Sequence, residues 1–166
     1  MRSTKGFPNL FVASCVAIII AAGCDPAAHD LNRGAAPTVG GTGQDRLSEL
    51  ARTINDNPDR FHGDATPSVQ ALVCEGKNAI PPMLDLMVSG DETTRCRAQV
   101  VLEALTFEMY GSRRPQWEAF WRRMGDLDYR AGNEKRLMSV SFWREWLESG
   151  CPGCPAPNAR RSQGLY

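Results

Sequence analysis

The sequence predicts an all-α fold of about six helices in antiparallel pairs, arranged as a short α-solenoid or an irregular helical bundle. From Asp45 onward, large apolar residues recur at three- and four-residue steps, which is the spacing of one helix face. Capping residues precede these segments, and glycines or prolines bound them. No segment alternates apolar and polar residues convincingly over the length of a strand, so we expect no sheet.

The first two helices are predicted on either side of a polar loop. Thr66 followed by Pro67 is typical of an N-cap with proline at the first helical position, and Gly76 stops this second helix. The first helix is amphipathic, and its apolar face comprises Leu47, Leu50, Ala51 and Ile54.

The third and fourth helices each begin at a predicted cap. Asn78 is expected to cap the third helix, which places Pro81 and Pro82 in its first turn, where missing amide protons cost little. Asp91 is expected to cap the fourth and longer helix, which Gly111 ends. The apolar faces of these two helices comprise Ile80, Met83, Leu84, Met87, Ala98, Val101, Leu102, Leu105 and Met109.

The last two helices contain the four tryptophans. Pro115 opens the fifth helix and Asn133 is expected to cap the sixth, with Gly125 and Gly150 placed as their C-caps. Tryptophans can stack on glycan rings, but the helical spacing here favours a core that the two helices share. The predicted inward faces comprise Trp117, Phe120, Trp121 and Met124 on one helix, and Leu137, Val140, Trp143 and Leu147 on the other.

One segment resembles a known repeat family. "GKNAIPPMLDLMVSGDETTRCRAQVVLEAL", residues 76–105, is similar to a HEAT repeat, with a helix beginning Ala-Ile-Pro-Pro, a Gly-Asp turn, and a second helix with Arg near its start and Ala-Leu near its end. The preceding "TPSVQALVCEG" would be the second helix of an earlier repeat. Thr94 departs from the pattern, which usually has an aliphatic residue there. The resemblance implies a right-handed stack of helical pairs that binds proteins through its surface and performs no catalysis.

The N-terminus has the three parts of a secretory signal. Arg2 and Lys5 precede an apolar run of 13 residues from Leu10 to Ala22, and small residues follow. A helix that crosses a bilayer needs about 20 mostly apolar residues, so this run is short for a membrane span. We therefore expect the chain to be exported.

The residues that end the signal resemble the lipobox of bacterial lipoproteins. Ala21, Ala22 and Gly23 precede Cys24, although the family most often has Leu in place of Ala21. The resemblance implies cleavage before Cys24, a lipid on its sulfur, and localisation at the membrane of the bacterial cell envelope. An ordinary cleaved signal and an uncleaved anchor are the alternatives.

Four regions follow from these patterns. Residues 1–23 are the signal peptide, 24–44 a flexible linker with little apolar area to bury, 45–150 the helical HEAT-like domain, and 151–166 a tail containing Cys and Pro. Removal of the signal leaves 17 basic against 19 acidic side chains, a formal charge of −2. This balance gives no indication of nucleic acid as a partner.

Four further cysteines are expected in the mature chain, and an even number in an exported protein favours disulfides. If the HEAT resemblance holds, Cys74 and Cys96 lie on neighbouring second helices at similar depth and could form a bridge; buried thiols are the alternative. Cys151 and Cys154 form a CPGC motif, for which we favour a structural disulfide over redox exchange or a zinc site. A helix C-terminus precedes the motif, and its dipole disfavours a thiolate.

The sequence predicts a non-catalytic, membrane-anchored lipoprotein whose helical domain binds another protein at the envelope. His62 lacks a partner at a diagnostic spacing, so we expect no catalytic residue, no metal site and no cofactor. The alternative is an envelope thiol-disulfide exchange protein that uses Cys151 and Cys154.

Overall fold

The computed structural model describes residues 42–59, 63–110 and 113–152, and over these residues the chain is all-α with no strand. The predicted fold class is therefore confirmed. A 3₁₀ turn, Gly76–Ala79, precedes the third of six α-helices. The helices are α1 (Gly43–Arg52), α2 (Pro67–Cys74), α3 (Ile80–Ser89), α4 (Glu92–Met109), α5 (Arg114–Arg123) and α6 (Asn133–Glu148).

Two of the predicted N-caps are confirmed. The Thr66 side-chain oxygen accepts from the Val69 amide at 3.1 Å, and the Asp91 carboxylate accepts from the Thr94 amide at 2.9 Å. Each bond satisfies one amide that the first turn of the helix leaves unpaired. α1 begins earlier than the apolar pattern indicated, because Thr42 and Asp45 form a capping box.

Two other predicted N-caps are wrong. Asn78 lies inside the 3₁₀ turn, and α3 begins at Ile80 after Ala79, whose backbone is already helical at φ −79° and ψ −13°. A capping side chain needs extended backbone, which this continuous helical path does not provide. Asn133 is the first residue of α6, because Gly132 takes the extended N-cap position.

The predicted C-terminal glycines are confirmed. Gly125 has a φ of +82° and Gly150 a φ of +79°, in the left-handed region that ends a helix. Beyond them, the Asp126 amide donates to Trp121 O at 2.9 Å, and the Cys151 amide donates to Trp146 O at 3.0 Å. Both bonds are of the Schellman type, so α5 and α6 end where the sequence predicted.

The first four helices form two stacked pairs. α1 packs on α2 and α3 packs on α4, while α1 also contacts α3 and α2 contacts α4. The first helices of the two pairs, α1 and α3, thus pack on each other, and so do the second helices, α2 and α4. The last pair reverses this order, because α5 contacts α4 and α6 contacts α3. α3 and α4 consequently form the centre of the described structure.

The core changes in chemistry along this stack. Around α2, α3 and α4 it consists of aliphatic side chains and methionines, each worth about 1.5–3 kcal/mol when fully buried. Between α5 and α6 it is aromatic: the Phe120 ring lies 5.2 Å from Trp143 and 5.0 Å from Trp146, both edge to face. The predicted aromatic core is confirmed. The fully buried residues of the first part include Val69, Leu72, Ile80, Met83, Leu84, Met87, Val101 and Leu102.

Candidate functional site

α6 is apolar on two sides, and one side has no partner among the described residues. Leu137, Met138 and Phe142 expose 44%, 51% and 37% of their surface, and they are the large hydrophobic side chains that the described residues leave exposed. We call these three residues the outer face of α6. Met138 and Phe142 lie one turn apart, whereas Leu137 lies about 140° from Phe142 around the helix. Scattered exposed apolar residues are ordinary, but neighbouring ones such as Met138 and Phe142 indicate a binding surface.

The prediction that Leu137 faces the core is wrong. The buried side of α6 is formed by Ser139, Val140, Trp143 and Trp146. Leu137 and Trp143 are six residues apart, and each residue turns an α-helix by 100°. Leu137 therefore lies about 120° from Trp143 around the helix. Because both Trp143 and Trp146 must be buried against Phe120, α6 is rotated so that Leu137 points outward.

A close approach at Gly125 fixes this rotation. The Ser139 hydroxyl donates to the Gly125 carbonyl at 2.9 Å, and a Cβ at Gly125 would lie 2.6 Å from that hydroxyl. Glycine is therefore required both by the left-handed backbone and by the space beneath α6. The end of α5 thus sets which side of α6 is exposed.

A shallow open groove of about 440 Å³ adjoins the outer face. Phe142 belongs to both, and Met124 and Trp146 add apolar area to the groove. Arg123 and Glu145 place one charge of each sign along it. The groove can accept apolar side chains from a partner and can orient that partner through its two charges.

The groove carries no arrangement typical of nucleophilic catalysis. Ser149 is the hydroxyl residue that lines it within the described chain, and its Oγ donates to the Trp146 carbonyl at 3.0 Å. A serine nucleophile needs a neighbouring base to remove its proton. The described lining residues of the groove include no histidine and no cysteine.

The predicted cysteine bridges need correction. Cys74 is disulfide-bonded, but Cys96 and Cys151 are both free thiols. The bridges Cys74–Cys96 and Cys151–Cys154 are therefore absent from this structure. Cys96 contacts Asp64, just before α2, whereas Cys74 is the last residue of α2. The eight residues of α2 rise about 12 Å, which is more than a disulfide can span.

The two free thiols have different surroundings. The Cys96 Sγ lies 3.6 Å from the Asp64 carboxylate, and burial together with that carboxylate raises the pKa of the thiol to about 11. Cys96 is therefore a protonated, weakly reactive thiol at neutral pH. Cys151 is half-buried, packs against the core, and has a left-handed backbone with φ +59°.

α4 contains a buried carboxylic acid that the sequence analysis missed. The Glu103 Oε1 accepts from the Gln99 side chain at 2.7 Å, and Gln99 in turn accepts from the Tyr129 amide at 2.8 Å. Burial raises the pKa of Glu103 to about 7, and Asp128 contributes in the same direction. In sequence Glu103 has the spacing of a solvated helix position. Its burial depends on packing of α4 on several sides.

Arg97 is a second buried charge, and it holds the loop between α1 and α2. Its Nη1 donates to Asn55 at 2.6 Å and its Nη2 to the Gly63 carbonyl at 2.7 Å. Asn55 also donates to Thr94 at 2.7 Å, which gives a polar role to the residue that departs from the HEAT pattern. These contacts hold the loop between α1 and α2 against α4.

Several predicted site residues lie outside the described residues. They are the lipobox residues and lipid-attachment cysteine (Ala21, Ala22, Gly23 and Cys24), together with His62 and Cys154. In the described part of the chain, no helix is long and apolar enough to cross a membrane. Within the same residues, no group of three or more His, Cys, Asp or Glu side chains could hold a metal ion.

Comparison with known proteins gives no assignment. The chain matches no protein-family model, no curated protein and no solved structure. The fold and the surface define an all-α helical bundle with an exposed apolar face on its last helix.

Proposed function

We propose that the protein is a non-catalytic lipoprotein of the bacterial cell envelope, whose helical domain binds another protein through the outer face of α6 and the adjoining groove. The observation that carries this proposal is the exposure of Leu137, Met138 and Phe142 beside a groove lined by Trp146. Large apolar and aromatic side chains that cluster beside a pocket are the usual centre of a protein interface.

The size of the outer face suits a partner that also contacts the groove. Fully burying a large apolar side chain is worth about 1.5–3 kcal/mol, and roughly half of that remains available at each of the three residues. The outer face therefore offers about 3 kcal/mol, which alone is too little for a stable complex. The groove must supply the remainder, with Arg123 and Glu145 setting the orientation.

The order of the helices supports a binding role. Two pairs stack first helix on first and second on second, as in repeat proteins that bind through their surfaces. α6 lies at the edge of this stack, and among the first four helices its main contact in the described chain is with α3. One side of it is consequently free for a partner.

The proposed anchor is the lipid on Cys24. Eighteen residues, 25–42, separate Cys24 from α1, and an extended chain of that length spans at most about 65 Å. The partner would therefore lie within that distance of the membrane. Replacing Cys24 with Ser should move the protein from the detergent phase to the aqueous phase in detergent partitioning; an unchanged partition would disprove this anchor.

A second candidate function is thiol-disulfide exchange at the envelope, and the free thiol of Cys151 favours it. Cys151 follows the C-terminus of α6, where the helix dipole opposes a thiolate. The reduction potential of the Cys151–Cys154 couple in the purified domain separates the two functions. A value below about −300 mV is typical of structural bridges, and a much more oxidising value would favour exchange.

Photo-crosslinking in intact cells tests the binding surface. A benzophenone amino acid at Phe142 should form a crosslinked product of defined mass, because this residue lies at the junction of outer face and groove. The same amino acid at Lys77, exposed on the 3₁₀ turn, is the matched control and should give none. Equal products from both positions, or none from position 142, would overturn the proposed surface.

A further inference from the structure

A row of polar side chains on α4 holds the segment that joins α5 to α6, residues 126–132, which we call the α5–α6 segment. Arg95, Gln99 and Glu103 follow one another at four-residue steps, so they lie along one side of the helix. The Arg95 Nε donates to the Tyr129 carbonyl at 3.1 Å, and the Tyr129 amide donates to Gln99 Oε1 at 2.8 Å. Two α4 side chains therefore bind both backbone polar groups of Tyr129.

Gln99 connects this contact to the buried carboxyl of Glu103. The Gln99 Nε2 donates to Glu103 Oε1 at 2.7 Å, while its Oε1 accepts from Tyr129. Glu103 exposes 5% of its surface, and among the described residues it has no ion pair. A carboxylate removed from water is costly unless a cation or several donors replace its hydration, and a neutral amide is a weak substitute. The enclosed site therefore favours the protonated acid, and burial raises the pKa of Glu103 to about 7.

The helices packed on α4 bring no cation to this carboxyl in the described chain. α2 contains no acidic or basic side chain, and the charged residue of α3 is Asp85, which pairs with Arg144 at 2.8 Å. The charged residues of α5 are paired with each other or exposed: Arg114, Glu118, Arg122 and Arg123. Ionisation of Glu103 would thus leave a negative charge that no packed helix neutralises.

The loops packed on α4 add negative charge rather than positive charge. Asp64 and the Tyr129 phenol contact Cys96, about two turns earlier on α4. Arg130 is exposed, with its guanidinium over the Tyr129 ring at 4.9 Å. Asp128, in the α5–α6 segment itself, is the charged group that acts on the buried carboxyl, and it helps to raise the pKa of that group. Ionisation therefore places two like charges on the two sides of one contact.

We propose that Glu103 is a pH switch, whose ionisation releases the α5–α6 segment from α4 and loosens the start of α6. The ionised carboxyl needs water, and water can enter most easily where a loop covers it. The segment has no regular secondary structure, and the side-chain bonds from Arg95 and Gln99 tie it to α4. Leu127, which is 2% exposed, is its buried apolar residue. Such a segment opens at a lower free energy than helices with continuous apolar packing.

Both ends of the segment fix α6, so its release reaches the outer face. Gly132 is the N-cap of α6, and the Arg136 Nη1 donates to the Ala131 carbonyl. Just before the segment, the Gly125 carbonyl accepts from Ser139 at 2.9 Å. The first turns of α6 contain two residues of the outer face, Leu137 and Met138, whereas the aromatic core holds the second half of the helix. The switch therefore acts on one end of α6.

The direction of the switch follows from the raised pKa of Glu103. Below pH 4.5 the carboxyl is protonated in both the closed and the opened form, and the contact has its full stability. As pH rises through about 7, the proton leaves to solvent and that stability is lost. The segment is accordingly held in acid and released in base.

Hydrogen–deuterium exchange of single amides, followed by NMR on the purified protein, tests the switch. The protection factor of the Tyr129 amide, which is corrected for the intrinsic effect of pH, should fall about 50-fold between pH 5 and pH 8 if the opened carboxyl has its ordinary pKa. The Val101 amide, inside α4, should stay better protected than the Tyr129 amide at both values, because the release is local.

Three variants attribute the fall to Glu103. Glu103→Gln cannot ionise, so its Tyr129 protection factor should not change between pH 5 and pH 8. Glu108→Gln, at an exposed position of the same helix, is the matched control and should keep the full change. Asp128→Asn should move the midpoint of the change to lower pH, because Asp128 helps to raise the pKa of Glu103. A purely structural role of Asp128 would not shift that midpoint.

Three results would overturn the switch. The first is a wild-type protection factor at Tyr129 that does not depend on pH. The second is an equal fall in Glu103→Gln, which would assign the titration to another group. The third is equal protection of Tyr129 and Val101 at pH 8, which would mean that the helices open together with the α5–α6 segment.

Discussion

The first four helices and the last two use apolar residues differently. In α1–α4 the predicted apolar faces pack inside the chain, and buried polar groups such as Arg97 fix the loops. In α5 and α6, aromatic rings fill the interior while Leu137, Met138 and Phe142 remain outside. The large apolar side chains that the described residues leave exposed therefore lie on one helix at the edge of the stack. We propose that a partner binds there.

The largest expected effect comes from the aromatic core. Trp143→Ala removes a fully buried ring that contacts Phe120, Trp121 and Trp146, and it should cost about 3–5 kcal/mol of unfolding free energy. Urea denaturation measures this cost. Phe142→Ala, one residue away on the outer face, is the matched control and should cost about 1 kcal/mol or less. Equal losses from the two variants would contradict the two-sided description of α6.

A pH series tests whether Glu103, on α4 at the centre of the stack, is shielded from solvent as its burial indicates. The folded-state pKa of Glu103, about 7, lies above the ordinary value of 4.5, so folding favours its protonated form. Its contribution to stability is fully present below pH 4.5 and is lost as pH rises to about 7, a change on the order of 3 kcal/mol.

Glu103→Gln removes this titration. The variant should gain stability relative to the wild type between pH 5 and pH 8, as measured by urea midpoints at both values. Gln99→Ala leaves the carboxyl in place and serves as a comparison, since burial, the larger cause of the raised pKa, remains. Parallel pH profiles for wild type and Glu103→Gln would show that Glu103 is solvated.

A smaller effect is expected at the start of α2. Thr66 caps the helix and also donates to the Ile54 carbonyl at 2.9 Å, so Thr66→Ala leaves two buried backbone groups unpaired. The expected loss is about 1–2 kcal/mol of unfolding free energy. Thr42→Ala at the exposed cap of α1 should cost less, because water can replace its bonds. A larger loss of unfolding free energy from Thr42→Ala than from Thr66→Ala would mean that α1 contributes more to the fold than α2 does.

Local signals in the sequence were sufficient for most of the fold. Thr66, Asp91, Gly125 and Gly150 bound helices because their side chains or backbones act within one turn. Asn78 was misleading because the chain there is already helical before α3 begins.

The candidate site was less predictable because it depends on contacts between helices. Leu137 has the spacing of a core residue, and only the burial of both Trp143 and Trp146 turns it outward. The separation of Cys96 from Cys74 likewise depends on how α4 packs on α2, which no spacing within the chain reveals. Glu103 is buried because helices surround α4.

The most direct measurement is the affinity of the partner that crosslinks to position 142 for a variant with Leu137, Met138 and Phe142 all replaced by Ser. Because these side chains are exposed, the urea midpoint should move little, while the dissociation constant should rise about 100-fold. Ser replacement of the exposed polar residues Lys77, Glu92 and Arg130 is the control and should leave affinity unchanged. An unchanged affinity in the outer-face variant would contradict the account.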